Sequence, residues 1–378
     1  MIPFNKPYMT GRETEYIKEA VASGKISGDG IFTQKCHRFF EQRYNFKKAF
    51  LTTSCTDALE MAAILIDIQP GDEVIVPSYT FVSTANAFVL RGAKVVFADS
   101  SAINPNVDAD GIEKLITTKT KAIVVVHYAG IACDMDKIIK LADTYNLLII
   151  EDAAQAIDSY YIDKNNVKRP LGGIGHLAAF SFHETKNIIS GEGGLLAVND
   201  ERFIRRAEII REKGTDRSAF FRGEVDKYGW VDIGSSFLPS EIIAAFLYAQ
   251  LENLADIQRR RKELWDEYYT RLSTLDAFRL PDIPSYATNN AHMFYIVLNS
   301  VEERSRLIKY LREHDILAVF HYLSLHKSPF YKDKHDGREC AFSDLYADRL
   351  LRLPLYYELD EIEYVINCVS DFFDAHRR

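Results

Sequence analysis

Short, nearly uninterrupted apolar runs recur through about the first 200 residues, and segments with apolar residues at helical spacing lie between them. Because strands buried on both faces lose the alternation of apolar and polar positions, such runs predict a sheet covered on both sides. The segments between them predict amphipathic helices over 57–66 and 135–145. This exchange of strand and helix predicts an α/β fold with a largely parallel sheet. The predicted strands are 74–76, 95–97, 123–126, 147–150 and 178–182.

The pattern changes after Pro239 and Ser240, where apolar residues continue at helical spacing to about residue 272. That length exceeds an ordinary globular helix and predicts one long helix that leads into a second domain. We therefore expect a large domain over residues 1–250 and a smaller α+β domain over residues 251–378. The predicted elements of the smaller domain are a strand at 293–298, a helix at 304–314, a strand at 317–322 and a helix at 362–373.

Composition narrows the function classes. The 378 residues carry a formal net charge of -8, from 46 basic and 54 acidic residues, so the chain offers no basic field to nucleic acid or to an anionic membrane. No run approaches the ~18 apolar residues of a membrane span, and the N-terminus lacks the apolar core of a signal peptide. The five cysteines are scattered without a CxxC pair, which excludes a zinc ribbon. We expect a soluble, cytoplasmic protein.

Ligands of open α/β sheets bind beyond the carboxyl ends of the strands, which directs attention to three polar segments. The first covers Thr52 to Thr56, directly before an apolar-periodic helix. The N–H groups at the start of that helix could bind an anion, or the segment could be an ordinary helix cap. The absence of GxxxxGK[ST] argues against a P-loop nucleotidase.

The second segment ends a fully apolar strand with Glu151 and Asp152, and Gln155 follows. A carboxylate that a strand delivers into a dry crevice needs a cationic partner or a metal. No HxH, DxD or HExxH accompanies these acids, so we expect no metal. Catalytic and structural roles remain equally open for this segment alone.

The third segment follows the predicted strand 178–182 and contains Ser181, His183 and Lys186 before a glycine-rich turn. A single lysine is ordinarily a solvated surface residue, but this one lies in a short polar loop directly after a buried strand. An anion site, a buried carboxylate and a loop lysine on one crevice match the needs of one cofactor, pyridoxal 5'-phosphate (PLP). Its phosphate needs backbone and hydroxyl donors, its pyridine nitrogen needs a carboxylate, and its aldehyde needs a lysine.

A dinucleotide fingerprint also occurs in the chain. Gly173, Gly175 and Ala178 spell GxGxxA. That fingerprint must follow a strand and open a helix, whereas here a predicted strand follows it, so we reject a nicotinamide site.

The chain resembles the DegT-type nucleotide-sugar aminotransferases, PLP enzymes of fold type I. The resemblance spans essentially the whole chain and rests on the segments PSYTFVSTANA, VHYAG, EDAAQ, SFHETKN with GEGG, and HYLSLH. SFHETKN, DIGSSF and NAHMFY are most similar to the subgroup that aminates C4 of dTDP-4-dehydro-6-deoxyglucose with L-glutamate. The product there is dTDP-4-amino-4,6-dideoxygalactose, a precursor of bacterial surface polysaccharides such as enterobacterial common antigen.

The resemblance implies roles for individual residues around PLP, which alternates with pyridoxamine 5'-phosphate in the reaction cycle. It implies that Lys186 binds the aldehyde and then transfers the proton, that Asp152 pairs with the pyridinium, and that Gln155 contacts the phenolic oxygen. Phe81 is expected to stack on the ring. Ser181 is expected to bind the phosphate.

Two departures from the family pattern concern the phosphate. Cys55 and Thr56 stand where many relatives have Gly-Thr. This change leaves a backbone N–H donor in place, so the implied phosphate contact is kept. Ser236 stands where many relatives have the asparagine that reaches the phosphate of a neighbouring subunit, and serine has a shorter reach. The family forms dimers with sites at the subunit interface, so a homodimer is expected.

Candidate substrate contacts lie near both ends of the chain. No arginine follows Phe237, so we expect substrate contacts from His321 and Tyr322, and from Asp29 and Gly30 near the N-terminus. His321 could equally be a core or hinge histidine.

Other functions remain as alternatives. They are amination to the gluco epimer, amination at C3, a PLP-dependent dehydratase, and a non-catalytic regulator. A histidine at the lysine position would indicate the dehydratase, and loss of Lys186 or Asp152 would indicate the regulator.

Overall fold

A seven-stranded sheet forms the centre of the protein in the computed structural model, which describes residues 1–376. The strand order is β1-β9-β8-β5-β4-β2-β3, and only β9 runs opposite to the others. The α/β prediction and its five strands are confirmed. Two small sheets, β6-β7 and β10-β11, complete the strands. The strands are β1 Lys48–Thr52, β2 Glu73–Pro77, β3 Lys94–Ala98, β4 Thr120–Val126, β5 Leu148–Asp152, β6 Tyr160–Ile162, β7 Lys168–Pro170, β8 Leu177–Ser181, β9 Gly194–Val198, β10 Phe294–Val297 and β11 Leu350–Leu353.

Helices cover both faces of the large sheet, and the predicted helices at 57–66 and 135–145 correspond to α3 and α6. Within residues 1–376, every helix is too short or too polar to span a lipid bilayer. The α-helices are α1 Glu13–Ala22, α2 Ile31–Tyr44, α3 Cys55–Leu65, α4 Val82–Val89, α5 Ala109–Ile112, α6 Met135–Tyr145, α7 Ile204–Arg211, α8 Arg217–Phe221, α9 Glu241–Glu252, α10 Leu254–Leu272, α11 Val301–Glu313, α12 Ala341–Arg349 and α13 Ile362–His376.

The single long helix predicted after Ser240 is wrong. The structure has two helices there, and Asn253 lies between α9 and α10 with φ -104° and ψ 7°. Asparagine favours such a break because its amide competes for backbone groups, and here Nδ2 donates to the Ala249 carbonyl at 3.0 Å. The periodicity continues across the break because both helices bury an apolar face.

The predicted strand at 317–322 is also wrong. Only Val319 pairs there, in an isolated bridge with Arg352, while β10 pairs along its length with β11. The run over 317–322 instead leads into the cavity described below. The predicted helices at 304–314 and 362–373 correspond to α11 and α13.

The apolar core lies on both faces of the large sheet, and a further core forms among residues from Leu264 onward. The N-terminus joins this further core, because Ile2 donates its N–H to the Asp315 carbonyl at 2.6 Å. The division of the chain near residue 250 stays a prediction.

Candidate active site

A cavity of about 360 Å³ lies at the carboxyl ends of β5 and β8, beside the start of α3. It is where the sequence predicted chemistry, because loops leave the carboxyl ends of parallel strands together. Most of the predicted site residues line this one cavity. They are Cys55, Thr56, Phe81, Asp152, Gln155, Ser181, Lys186, His321 and Tyr322.

Asp152 ends β5 with its carboxylate buried at the cavity wall. Oδ2 accepts a hydrogen bond from the Thr84 hydroxyl at 2.7 Å, and Oδ1 accepts one from the Ala154 N–H at 3.1 Å. Burial raises the pKa of this carboxyl above its ordinary value. A carboxylate held in this way is stabilised by a cationic ligand, so it fits a protonated pyridine nitrogen.

Glu151 points to the opposite face of the sheet from its neighbour, as successive residues of a strand must. Its carboxylate accepts hydrogen bonds from His127 Nε2 at 2.9 Å and from the N–H groups of Gly172 and Ile174, both at 2.7 Å. Burial alone would raise its pKa, but these hydrogen bonds outweigh it and hold the pKa below the ordinary value. The loop that carries the GxGxxA pattern, residues 172–175, therefore binds a carboxylate of the protein itself. The strand β8, rather than a helix, follows this loop.

Lys186 lies in the loop between β8 and β9, where its backbone N–H donates to the His183 carbonyl at 2.9 Å. Its side chain is half-buried at the cavity. Burial lowers the pKa of the amine, and the charge of Arg352 lowers it further. A lowered pKa raises the fraction of neutral amine, which is the form that attacks an aldehyde.

The segment predicted as an anion site or a helix cap begins α3, and Ser54 caps the helix there. The Ser54 hydroxyl accepts a hydrogen bond from the Asp57 N–H at 3.0 Å, and the Thr56 hydroxyl donates to Ser83 at 2.8 Å. Gly194, on β9, lies so close that an added Cβ would be 2.3 Å from the backbone of Ser54. The first residue of β9 is thus in close contact with the start of α3. The backbone N–H groups at a helix start favour an anion such as phosphate.

Aromatic and amide groups form the remaining wall of the cavity. The Phe81 side chain is 54% exposed, and its ring lies 5.9 Å from the ring of Tyr322. Gln155 accepts the Ala129 N–H at 2.6 Å and donates to the Tyr322 hydroxyl at 3.2 Å. Burial raises the pKa of Tyr322 to about 12, so this hydroxyl stays protonated at neutral pH.

His321 lies at the cavity beside Tyr322, with the two rings stacked at 4.4 Å. Its Nδ1 is buried and has no hydrogen-bond partner among residues 1–376. Burial, followed by the charges of Arg352 and Lys186, lowers its pKa to about 3. The ring is therefore neutral at physiological pH, with a polar atom available to a ligand.

Arg352, on β11, lines the cavity and was missed by the sequence reasoning. Its side chain is 1% exposed. The available signal was an arginine inside the short apolar run LLRL, since a charged residue in a buried strand needs a partner.

Three predicted residues lie away from the cavity of this chain. Asp29 forms an ion pair with Arg211 at 2.9 Å, and the Gly30 N–H donates to Glu241 at 2.9 Å. Ser236 is exposed. Their roles toward substrate and phosphate stay predictions.

This fold and this cavity place the chain among the PLP-dependent aminotransferases, and comparisons with known proteins support that class. The chain belongs to the DegT/DnrJ/EryC1/StrS aminotransferase family, whose model matches residues 7–370. The family expected from the sequence motifs is thereby confirmed.

Individual relatives match the chain over nearly its whole length. The spore coat polysaccharide biosynthesis protein SpsC of Bacillus subtilis is 32% identical, over 98% of this chain and 96% of its own. GDP-perosamine synthase of Escherichia coli O157:H7 is 32% identical, over 98% of each chain. The putative sugar aminotransferase Spr1654 of Streptococcus pneumoniae, solved in PMP and PLP forms, superposes in its PMP form with a TM-score of 0.90, at 26% identity over 99% of this chain and 100% of its own.

Proposed function

We propose that the protein moves an amino group from L-glutamate to C4 of dTDP-4-dehydro-6-deoxyglucose and yields dTDP-4-amino-4,6-dideoxygalactose. In the balanced exchange, glutamate becomes 2-oxoglutarate and the sugar ketone becomes an amine. The observation that carries the proposal is one cavity that combines Lys186, Asp152 and the start of α3. The motifs SFHETKN, DIGSSF and NAHMFY support the choice of sugar.

PLP, when bound, supplies an electron sink that stabilises negative charge on the carbon that loses its proton. In this proposal, Lys186 holds the aldehyde through its amine and later carries the proton between substrate and cofactor. Asp152 keeps the pyridine nitrogen protonated, because its buried carboxylate is stabilised by that positive charge. Gln155 donates toward the phenolic oxygen.

The phosphate is assigned to the N-terminal end of α3. The N–H groups of Cys55 and Thr56 and the hydroxyl of Ser181 are the proposed donors, and they lie on the cavity wall. Phe81 is proposed to cover one face of the ring, and its exposed side chain leaves room for that contact.

We further propose that the enzyme is a homodimer whose sites lie at the subunit interface. The support is a stretch with several exposed apolar side chains, among them Phe221 at 70%, Tyr228 at 52% and Trp230 at 83% exposure. Ser236 follows this stretch and would reach the phosphate of the partner. Surface-polysaccharide synthesis in the cytoplasm is the proposed setting, supported by a relative that is named for spore coat polysaccharide biosynthesis.

A second candidate is a GDP-linked keto-sugar as acceptor, because one relative is a GDP-perosamine synthase. Amination with the gluco configuration, or at C3, is a further alternative that the same experiment separates.

The test is incubation of the purified protein with PLP, L-glutamate and either the dTDP-linked or the GDP-linked 4-keto-6-deoxy sugar, followed by NMR of the product. We expect turnover of the dTDP sugar, with the amine on C4 and proton couplings that indicate an axial amine. Preferred turnover of the GDP sugar, an equatorial amine or an amine on C3 would overturn the respective part of the proposal.

A further inference from the structure

Two motifs that are far apart in the sequence meet beside Lys186. The segment SFHETKN ends with Asn187, directly after Lys186, and the segment NAHMFY over residues 290–295 leads into β10. The side chains of His292 and Asn187 are hydrogen-bonded through Nδ1 and Oδ1 at 2.8 Å. Both side chains are buried, so this contact is shielded from water. It joins the lysine loop, residues 182–193 between β8 and β9, to the segment before β10.

Three hydrogen bonds join the side-chain amide of Asn187 to elements outside the lysine loop. Besides the bond to His292, its Nδ2 donates to Gln258 Oε1 on α10 at 2.8 Å and to the Asn290 carbonyl at 2.9 Å. These two acceptors fix the orientation of the amide, so Oδ1 faces His292 and accepts from it. Burial, followed by the positive charge of Lys186, lowers the pKa of His292 well below its ordinary value. The ring is therefore neutral, and its one N–H lies on Nδ1.

The segment before β10 is itself held by one side of α10. Arg261 Nε donates to the Ala291 carbonyl at 3.1 Å, and its Nη2 donates to the His292 carbonyl at 2.7 Å. Trp265 Nε1 donates to the Met293 carbonyl at 3.2 Å. The α10 residues that contact this segment or the lysine loop recur three and four positions apart, at 258, 261 and 265, so they share one side of the helix. The backbone of His292 thus has a fixed place, and so does the donor on its ring.

The same segment also holds the loop that follows β5. Asn290 Nδ2 donates to the carbonyls of Gln155 and Ile157, both at 2.8 Å. Its Oδ1 accepts the His292 N–H at 3.0 Å. Two parts of the cavity wall are therefore joined to one short segment, Gln155 through Asn290 and Lys186 through His292.

We propose that His292 is a positioning residue that acts through Asn187 to hold Lys186 where its amine reaches the cofactor, an inference that rests on the role of Lys186 in the proposed function. The amine must meet the aldehyde when PLP binds and must return to the same place each time it is displaced, so the lysine loop needs a fixed position. Asn187 is the next residue along the chain, so a shift of its side chain moves the backbone that carries the lysine. Neither His292 nor Asn187 lines the cavity, so both act on the reaction through Lys186.

The test compares how the full-length protein binds two forms of the cofactor, by absorbance titration. PLP can bond to Lys186, whereas pyridoxamine 5'-phosphate has an amine in place of the aldehyde and cannot. Only PLP affinity therefore depends on where the lysine lies. His292→Leu removes the donor and leaves Asn187 Oδ1 buried without its partner. PLP affinity should fall by at least about tenfold, while affinity for pyridoxamine 5'-phosphate changes by less than about threefold.

A conservative variant and a matched control separate positioning from general stability. In His292→Asn the side-chain amide can place an N–H donor where Nδ1 lies, so PLP affinity should stay within about threefold of the wild type. His176→Leu is the control, because His176 Nδ1 accepts the Ile149 N–H at 3.0 Å, but at the end of β8 away from the lysine loop. This variant should leave both affinities unchanged.

A variant of the other partner keeps the test independent of how His292→Leu folds. Asn187→Ala should weaken PLP binding at least as much. Adding His292→Leu to it should change PLP affinity by less than about threefold further, because the contact is already lost.

Three results would overturn the inference: equal loss of affinity for both cofactor forms, unchanged PLP affinity in either single variant, or additive losses in the double variant. The titrations use neither glutamate nor sugar, so a wrong substrate in the proposed function leaves them decisive. A wild-type protein that forms no bond between PLP and Lys186 would refute the proposed function, and the inference with it.

Discussion

Glu151 and Asp152, the last two residues of β5, have different roles: the first stabilises the structure and the second lines the cavity. Because successive side chains of a strand point to opposite faces, Glu151 accepts hydrogen bonds from several N–H groups while Asp152 lies at the cavity. His127 Nδ1 accepts the Cys133 N–H at 3.2 Å, so its Nε2–H is the atom that donates to Glu151. The buried pair of His127 and Glu151 holds the end of β5 in place and so positions Asp152.

Asp152→Asn should lower turnover by at least about 100-fold, because the neutral amide cannot keep the pyridine nitrogen protonated when negative charge develops. Steady-state assays with L-glutamate and the keto-sugar give the rate. A PLP titration of the same variant serves as the control, and it should show that cofactor still binds. A loss of less than about tenfold would mean that Asp152 is structural.

His321→Ala should raise KM for the sugar or slow the sugar half-reaction, while the glutamate half-reaction proceeds normally. The reason is that His321 is neutral and offers an unpartnered Nδ1 to sugar oxygens, whereas the smaller donor does not fill the sugar subsite. Stopped-flow of each half-reaction distinguishes the two effects. Equal slowing of both, or of neither, would remove His321 from the sugar site.

At the scale of elements, the contact between β9 and the start of α3 lies at the proposed phosphate site. Gly194 pairs with Thr52 on one side and with Ser181 on the other. In Gly194→Ala, the new Cβ would meet the backbone of Ser54 at 2.3 Å, so the strand and the helix must separate. We expect at least a tenfold weaker affinity for PLP and a loss of about 1–3 kcal/mol in the free energy of unfolding.

Absorbance titration with PLP and thermal unfolding check this prediction. Gly111→Ala is the control, since an added Cβ there would approach only the side chain of Asp108, at 3.1 Å, and the backbone has no positive φ. Wild-type affinity in Gly194→Ala would show that the close approach does not shape the site.

The sequence predicted the central strands because strands buried on both faces produce apolar runs that local patterns reveal. The helix break at Asn253 was missed because periodicity continues through it. The pairing of β10 with β11 was missed because it joins distant segments, and local patterns carry no information on non-local partners. The run at 317–322 was apolar enough for a strand, but only Val319 pairs there, in a bridge with Arg352 on β11.

The sequence located most of the cavity wall, because the three polar segments follow strands whose carboxyl ends meet. Arg352 was missed because it lies in a strand that was not predicted, so nothing connected it to the site. Asp29 and Gly30 have partners within the chain, Arg211 and Glu241, and their contact with the substrate stays a prediction.

At the scale of the whole molecule, the exposed apolar stretch around Trp230 predicts self-association. The wild type should sediment with twice the chain's 43.2 kDa, and Trp230→Glu should shift it toward the monomer and lower activity at least tenfold, since the sites are proposed to lie at the interface. Leu90→Glu is the control, because Leu90 is 62% exposed at the end of α4 and should leave the mass unchanged. A monomeric, active wild type would contradict the proposed dimer.

The central claim is that Lys186 binds the cofactor in this cavity. Borohydride reduction of the purified, PLP-loaded protein makes the bond between a lysine amine and the cofactor's aldehyde permanent, and peptide mass spectrometry then identifies the modified residue. We predict one phosphopyridoxyl group on the peptide that contains Lys186, and none on Lys186→Ala treated in the same way. Modification of a different lysine, or equal labelling of the variant, would contradict the account.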